Sequence, residues 1–460
     1  MFAVLFTLFV VAVVAWCVFK KFYPPWILLL AGLVLLLAAA CLGTAPVGAK
    51  ASTNFIGFDF AQAFTDKVKG RLPGLGLNIM WIAGFSYYMD KIGASKALVK
   101  LCVKPLSAIR SPYVLLAVTY VVGQFMALFI NSAVGLGLLL MASIYPLLIA
   151  LGVSRFSAAA VIGSTCCLDL GPSSSNALQA AELLKMDVVT YFVQHQLPVA
   201  VCVIAAVAIA HFFVQRWFDR HDNLIGASVA DATGDDERVR KAFEGAGPAH
   251  YAILPMIPLV LLIVFSKMVL PGFKLSLQTA IIVSILIAFF VDLVTKFDIK
   301  DCIGRTVAVF EGMGKVFTST VALICCAEFF AIGMNKLGGI QTMIQSAASL
   351  QGAGAWVMLF VMIAIVVLAT FVTGSGNAAW FAFSPLLPDA AASVGVNAAA
   401  LAVPAQLSAG LARTMSPIAG VIIAVSSIAG ISPFELIRRT IPVMIVALIV
   451  DVIASSIFLA

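Results

Sequence analysis

The sequence predicts an all-α integral membrane protein built from two inverted-topology repeats of five transmembrane helices, each with a re-entrant hairpin and a broken helix. Three observations lead there. Hydrophobic residues make up 62% of the 460 and charged residues only 11%, with a mean hydropathy of +1.10, whereas a soluble domain carries about a quarter charged residues. Landmarks recur about 245 residues apart. Tyr88-Met89-Asp90-Lys91-Ile92-Gly93 is echoed by Gly333-Met334-Asn335-Lys336-Leu337-Gly338; Phe129 matches Phe371, Gly152-Val153 matches Gly395-Val396, Pro172 matches Pro417, and Pro198 matches Pro442. In an apolar chain, such a duplication is the mark of related halves around a shared central site. Four polar clusters also interrupt apolar sequence at corresponding places in the two halves.

The first repeat covers 1–215. Apolar runs at 2–19 and 26–43 are each long enough to cross a bilayer, which takes about 17–25 residues. The first is not a cleavable signal, because no basic segment precedes it and Lys20-Lys21 follow it. A span at 72–90 leads to an interfacial stretch at 91–110. The hairpin 112–150 is broken by Asn131-Ser132; the broken helix 154–184 and a span at 188–215 complete the half. The polar segment 216–249, centred on Asp231 to Glu237, reads as a cytoplasmic linker. The second repeat, 250–460, keeps the order: spans 252–270, 276–295 and 311–335, an interfacial stretch at 336–352, hairpin 354–392, broken helix 397–430 and a span at 435–459. Five crossings is an odd number, so the second half sits upside down, and each hairpin returns to its own side.

Charge placement orients this topology. The stretch at 91–110 carries Lys91, Lys96, Lys100, Lys104 and Arg110, whereas its partner carries only Lys336. The first is therefore expected inside and the second outside. Lys20-Lys21, Arg216, Arg220, Lys296, Lys300, Arg438 and Arg439 also fall inside, and both termini outside; Lys67, Lys69 and Arg71 run against the rule. The net charge of +7 is orientation signal, and no nucleic acid is implied, since the basic residues sit at segment ends. Nine cysteines lie mostly in apolar runs with no CxxC and no zinc spacing, so they read as small buried hydrophobes.

The chemistry is expected at the four interruptions: Asn131-Ser132; Asp169 followed by Gly171, Ser173, Ser174, Ser175 and Asn176; Thr373-Gly374-Ser375-Gly376-Asn377; and Arg413-Thr414 with Ser416. Unwound backbone inside a bilayer survives only where protein buries it or where it lines a wet cavity. Pro172 and Pro417 each break a span. Helices that restart after a break aim free N–H groups and a partial positive charge at the centre. The result is an anion site built twice, suited to a substrate with a carboxylate at each end. Arg413 either forks onto a substrate carboxylate or pairs with Asp169, its repeat equivalent. Asp169 and Glu328, carboxylates at membrane depth, are candidates for ion or proton coupling; His195 reads as a packed or interfacial histidine rather than a proton carrier. Tight helix packing by small residues is the alternative for the Ser/Asn/Gly clusters, and their fourfold recurrence argues against it. There is no HExxH, GxSxG or Walker loop, so neither an enzyme nor an ATP-driven pump is expected, and no cofactor or metal.

At 171–177 (Gly-Pro-Ser-Ser-Ser-Asn-Ala), 373–378 (Thr-Gly-Ser-Gly-Asn-Ala) and 413–418 (Arg-Thr-Met-Ser-Pro-Ile) the chain resembles the ion-transporter superfamily, and within it the DcuC family of bacterial C4-dicarboxylate transporters. The resemblance runs nearly end to end. It implies movement of fumarate, succinate, malate or aspartate across the bacterial inner membrane by a homodimer with a moving transport domain and a fixed scaffold. The related sodium symporters carry Ser-Asn-Thr at each tip, whereas here the tips read Asn131-Ser132-Ala133 and Ser375-Gly376-Asn377. Proton coupling or exchange is therefore expected over sodium. The alternatives are a carrier of another organic anion of the superfamily, or an uncoupled anion channel.

Overall fold

The computed structural model describes residues 2–20, 22–43, 53–103, 105–106, 109, 111–224, 244–266, 269–270, 272–273, 275–338 and 354–459. Most of the interfacial stretch expected at 336–352, the centre of the linker, and Lys21, Lys104 and Arg110 lie outside the described residues.

Among the described residues every regular element is helical, and eight helices are long and apolar enough to cross a membrane. The first half contains α1 (Phe2–Phe19), α2 (Pro24–Cys41), α3 (Ile56–Arg71), α4 (Leu77–Lys91), α5 (Ala94–Val103), α6 (Pro112–Ala127), α7 (Ala133–Ala150), α8 (Arg155–Ser164), α9 (Ser175–Leu183) and α10 (Val188–His221). The second contains α11 (Ala249–Val264), α12 (Leu277–Lys296), α13 (Ile299–Val316), α14 (Ala322–Leu337) and α15 (Gly354–Thr373). It ends with α16 (Gly376–Phe383), α17 (Leu387–Val394), α18 (Ala398–Met415), α19 (Gly420–Ala429) and α20 (Pro433–Phe458). Proline opens α2, α6 and α20, where a missing N–H costs nothing, and Gly395 and Gly430 end α17 and α19 in the left-handed conformation.

Helices occupy each segment where a span was expected, though not all are long enough to cross a membrane, and their edges differ. Helix α3 precedes the span at 72–90 and joins α4 through a wide π-helical turn, Leu72–Gly76, containing Pro73. Its counterpart α13 starts at Ile299 rather than near 311 and joins α14 through a second π-helical turn, Phe317–Val321. Both helices interleave charges such as Asp66, Lys69, Asp301 and Glu311 with apolar residues, so no uninterrupted apolar run marks them. Helix α11 ends at Val264, short of 270, and α10 continues to His221, inside the expected linker. A 3-10 turn at Ser384–Leu386, where Pro385 removes a donor, divides the second half of the 354–392 hairpin.

Small residues let these helices cross backbone to backbone. A β-carbon on Gly333 of α14 would lie 2.9 Å from the carbonyl oxygen of Gly32 on α2. On Gly84 of α4 it would lie 2.7 Å from Val309 O of α13, and on Gly312 2.8 Å from Ala83 O. Helices α6, α8, α10, α18 and α20 pack on one another around residues that are largely Ala, Val and Leu. Arg439, expected among the cytoplasmic charges, is buried among them, 2.5 Å from Asp219 and 2.9 Å from Asp222. A buried guanidinium needs such partners.

Candidate functional site

Four helix breaks converge. In the first, α8 ends at Ser164 and the chain runs unwound to Ser174, which caps α9 by accepting from Ala177 N at 3.4 Å. Asp169 adopts a left-handed backbone there (φ 47°), a conformation that Asp tolerates better than most residues. The exposed peptide groups are satisfied by glutamines. Gln406 Nε2 donates to the carbonyls of Leu168 and Asp169 (3.4 and 3.3 Å), and Gln196 Oε1 accepts from Gly171 N (3.0 Å). The two glutamines bond to each other at 2.8 Å, with Tyr191 OH donating to Gln406 Oε1. This is how unwound backbone is tolerated at membrane depth.

The second break, between Met415 and Gly420, repeats one detail. Ser173 Oγ donates to Leu128 O at 2.8 Å, and Ser416 Oγ donates to Phe371 O at 2.7 Å, each across 45 residues. Each bond ties a break to a hairpin tip. At the tips Ser132 caps α7 (Gly135 N, 3.0 Å) and Ser375 caps α16 (Ala378 N, 3.2 Å). Gly374 turns with φ 70°, and a β-carbon there would meet Ile418 O at 2.8 Å. One on Gly410 would come within 2.3 Å of Cys167 O, so the two broken helices touch through their main chains.

Between these breaks lies a cavity of about 420 Å³, within the range of about 300–1,000 Å³ usual for small-molecule sites. Asn131, Ser132, Asp169, Ser173, Ser174, Ser175, Gly374, Ser375, Gly376, Asn377 and Arg413 line it. So do Ala133 and Val134 at the start of α7, and Gly420 and Val421 at the start of α19. The cavity thus meets the N-terminal turns of α7, α9, α16 and α19, four positive helix ends.

Arg413 is held by Asp169 through its two terminal guanidinium nitrogens, at 2.9 and 3.2 Å, and also donates to Cys166 O. Asn176 Nδ2 supports the same carboxylate at 3.0 Å. Of the two pairings open to Arg413, the one with Asp169 is formed here, and Arg413 Nε keeps no hydrogen-bond partner. Other expected residues stand behind the cavity wall rather than on it. Gly171 and Asn176 brace the first break, Thr373 Oγ1 accepts from Ser375 N at 3.2 Å, Thr414 O accepts from Thr440 at 2.9 Å, and Ser416 makes the tie described above. Glu328 lies elsewhere, 2.5 Å from Arg71 Nε and 3.9 Å from Lys67 Nζ. The wall facing the breaks was not anticipated: Ser86 and Tyr87 from α4, Lys315 from the end of α13, and Ser319 and Thr320 from the turn after it. Asn131 Nδ2 donates to Ser86 Oγ at 3.3 Å. A run of three hydroxyls, Thr318-Ser319-Thr320, next to a lysine within an apolar stretch was the available signal for that wall.

A family model described as the C4-dicarboxylate anaerobic carrier, DcuC, matches residues 2–459. The "Probable anaerobic C4-dicarboxylate transporter DcuC" of Vibrio cholerae serotype O1 is 36% identical over 459 residues, covering 99% of this chain and 98% of that protein. The anaerobic C4-dicarboxylate transporter DcuC of Escherichia coli K12 is 34% identical, covering 97% and 95%. Among solved structures, the YdaH transporter of Alcanivorax borkumensis superposes with a TM-score of 0.63 at 14% identity, covering 95% of this chain and 98% of its own, a likeness of fold. The protein is a transporter and not an enzyme, a multi-pass protein of the bacterial inner membrane. With nearly its whole length matched, the chain belongs to the DcuC family of C4-dicarboxylate anaerobic carriers.

Proposed function

We propose that this transporter moves C4-dicarboxylates such as fumarate, succinate, malate and aspartate by proton-coupled transport or exchange. Alternating access is of the elevator type, within a homodimer. Repeats 1–215 and 250–460 are inverted relative to one another, and 216–249 is the cytoplasmic linker. The repeated 45-residue tie and the two helix–π–helix elements support this arrangement. The observation that carries the reading is the cavity itself, where four helix N-termini and the polar side chains of both tips surround one space.

The Asp169–Arg413 pair supplies a coupling device. Asp169 occupies the fork of Arg413. A substrate carboxylate that takes the fork must displace Asp169, so filling the site and freeing that carboxylate are linked. Asn131, Ser132, Ser375 and Asn377 complete the carboxylate sites, with Ser174 and Ser175 at the start of α9. Glu328, held by Arg71, is left as a structural carboxylate.

Uptake of labelled succinate into proteoliposomes, under imposed proton, sodium or internal-succinate gradients, tests the reading. Saturable counterflow against a gradient is expected, and flux without counterflow would identify a channel instead. The Asp169→Asn variant is expected to keep exchange while losing acceleration by an inward proton gradient. A variant that still concentrates succinate on a proton gradient removes Asp169 from the coupling step.

A further inference from the structure

Among the described residues, the charged groups lining the cavity are Asp169, Arg413 and Lys315. The first two neutralise each other. Lys315 has no carboxylate paired with it among the described residues; its ammonium lies over the ring of Tyr87, 4.7 Å from the centroid, with the side chain exposed. A ring face positions a cation without cancelling its charge. A lysine near a helix end commonly snorkels to the membrane surface. Lys315 instead shares the cavity wall with Tyr87 and, one turn on, with Ser319 and Thr320.

Charge balance extends the point. Asp169, Arg413 and Lys315 leave the cavity one positive charge in excess, carried by Lys315, and a dicarboxylate brings a second negative group beyond the one that competes for Arg413. We infer that Lys315 binds the second carboxylate of the substrate and is the residue that selects dicarboxylates over monocarboxylates. The inference rests on the dicarboxylate reading of the cavity. It also places one substrate contact on α13, outside the four breaks, so the substrate bridges the two walls of the cavity. Arg71 stands just before the other π-helical turn, as Lys315 stands before its own, and two protein carboxylates, Glu182 and Glu328, already hold it. The position accepts two carboxylates where the protein supplies them, and at Lys315 it supplies none.

The test uses the full-length protein in proteoliposomes, with succinate counterflow as readout and butyrate, the four-carbon acid lacking the second carboxylate, as competing inhibitor. In Lys315→Met the KM for succinate is expected to rise about ten- to a hundred-fold while inhibition by butyrate stays near wild type. Lys315→Arg keeps the charge and is expected to retain most of the succinate affinity. Lys315→Gln asks the same question should the methionine variant fail to reach the membrane. An unchanged succinate KM in the uncharged variant overturns the assignment, as does an equal loss of succinate and butyrate. Wild-type protein that exchanges no succinate overturns the dicarboxylate reading, and this assignment with it; active wild type beside an unchanged variant overturns the assignment alone.

Discussion

Two basic residues occupy matching places in the two helix–π–helix elements, and the protein treats them differently. Arg71 ends α3 immediately before the turn at 72–76; Lys315 stands one residue before the end of α13 and its turn at 317–321. Arg71 bridges Glu182 on α9 and Glu328 on α14, the latter only 3% exposed. Lys315 has Tyr87 and open cavity. The repeat register puts Ala83 opposite Glu328, and Ala83 lines that same cavity. One end is thus closed by internal carboxylates while the other is left for an external one. A basic residue at a matching place is a strut at one end and a proposed ligand site at the other, and the difference is whether an acid is encoded across from it.

The comparison can be broken most severely at the closed end. Arg71→Met leaves the buried Glu328 with Lys67 alone, 3.9 Å away. Removing one partner of a buried pair costs about 3–5 kcal/mol. Arg71 is one-quarter exposed, so the expected loss is about 2–4 kcal/mol. Thermal unfolding in detergent should show it, and Glu328→Leu added to Arg71→Met should recover most of it. No recovery would mean that Arg71 acts through Glu182 or through packing. At the open end, Ala83→Glu supplies the missing acid. The variant should fold, with Lys315 captured internally and succinate affinity down about a hundred-fold, roughly 2.7 kcal/mol. Succinate binding at wild-type strength in that variant would separate the two ends and end the analogy. The smallest change is Glu182→Gln. That pair is partly exposed, so stability should move by only about 0.2–1 kcal/mol. Because it joins α3 to α9, it should shift the balance between outward- and inward-open forms by up to about fivefold, readable as the labelling rate of a cysteine placed at Asn78. An unchanged labelling rate would show that the bridge is not a latch.

Much of this arrangement was legible in the sequence because breaking a helix inside a membrane demands recognisable residues. Pro172, Gly171, Gly374 and Pro417 mark chain that cannot stay helical, and Ser132, Ser174 and Ser375 mark where it restarts. Ser132, Ser174, Gly374 and Ser375 line the cavity, and Gly171 braces the first break. What escaped were features that depend on distant partners. Gln196 and Gln406 look like ordinary polar residues in apolar spans until each is seen bonded to the first break and to the other. Arg439 reads as a surface charge because Asp219 lies 220 residues away. Helix α3 and the first half of α13 were missed because apolar runs identify lipid-facing spans, and these helices alternate charge with apolar residues. Lys315 drew no attention, since local sequence does not say which face of a helix looks into a cavity.

The Asp169–Arg413 pair has a consequence for the empty carrier. Moving one elementary charge through the full membrane potential involves about 2.3 kcal/mol per 100 mV. Locked together at 2.9 Å, the carboxylate and guanidinium travel as a dipole of zero net charge. Lys315 belongs to the opposite wall, on α13. In the proposed alternating-access cycle, whatever distance the four breaks cover without cargo, the electric field does no net work on this pair. On that reading the voltage acts on the charged cargo, and the return of the pair itself is electrically silent.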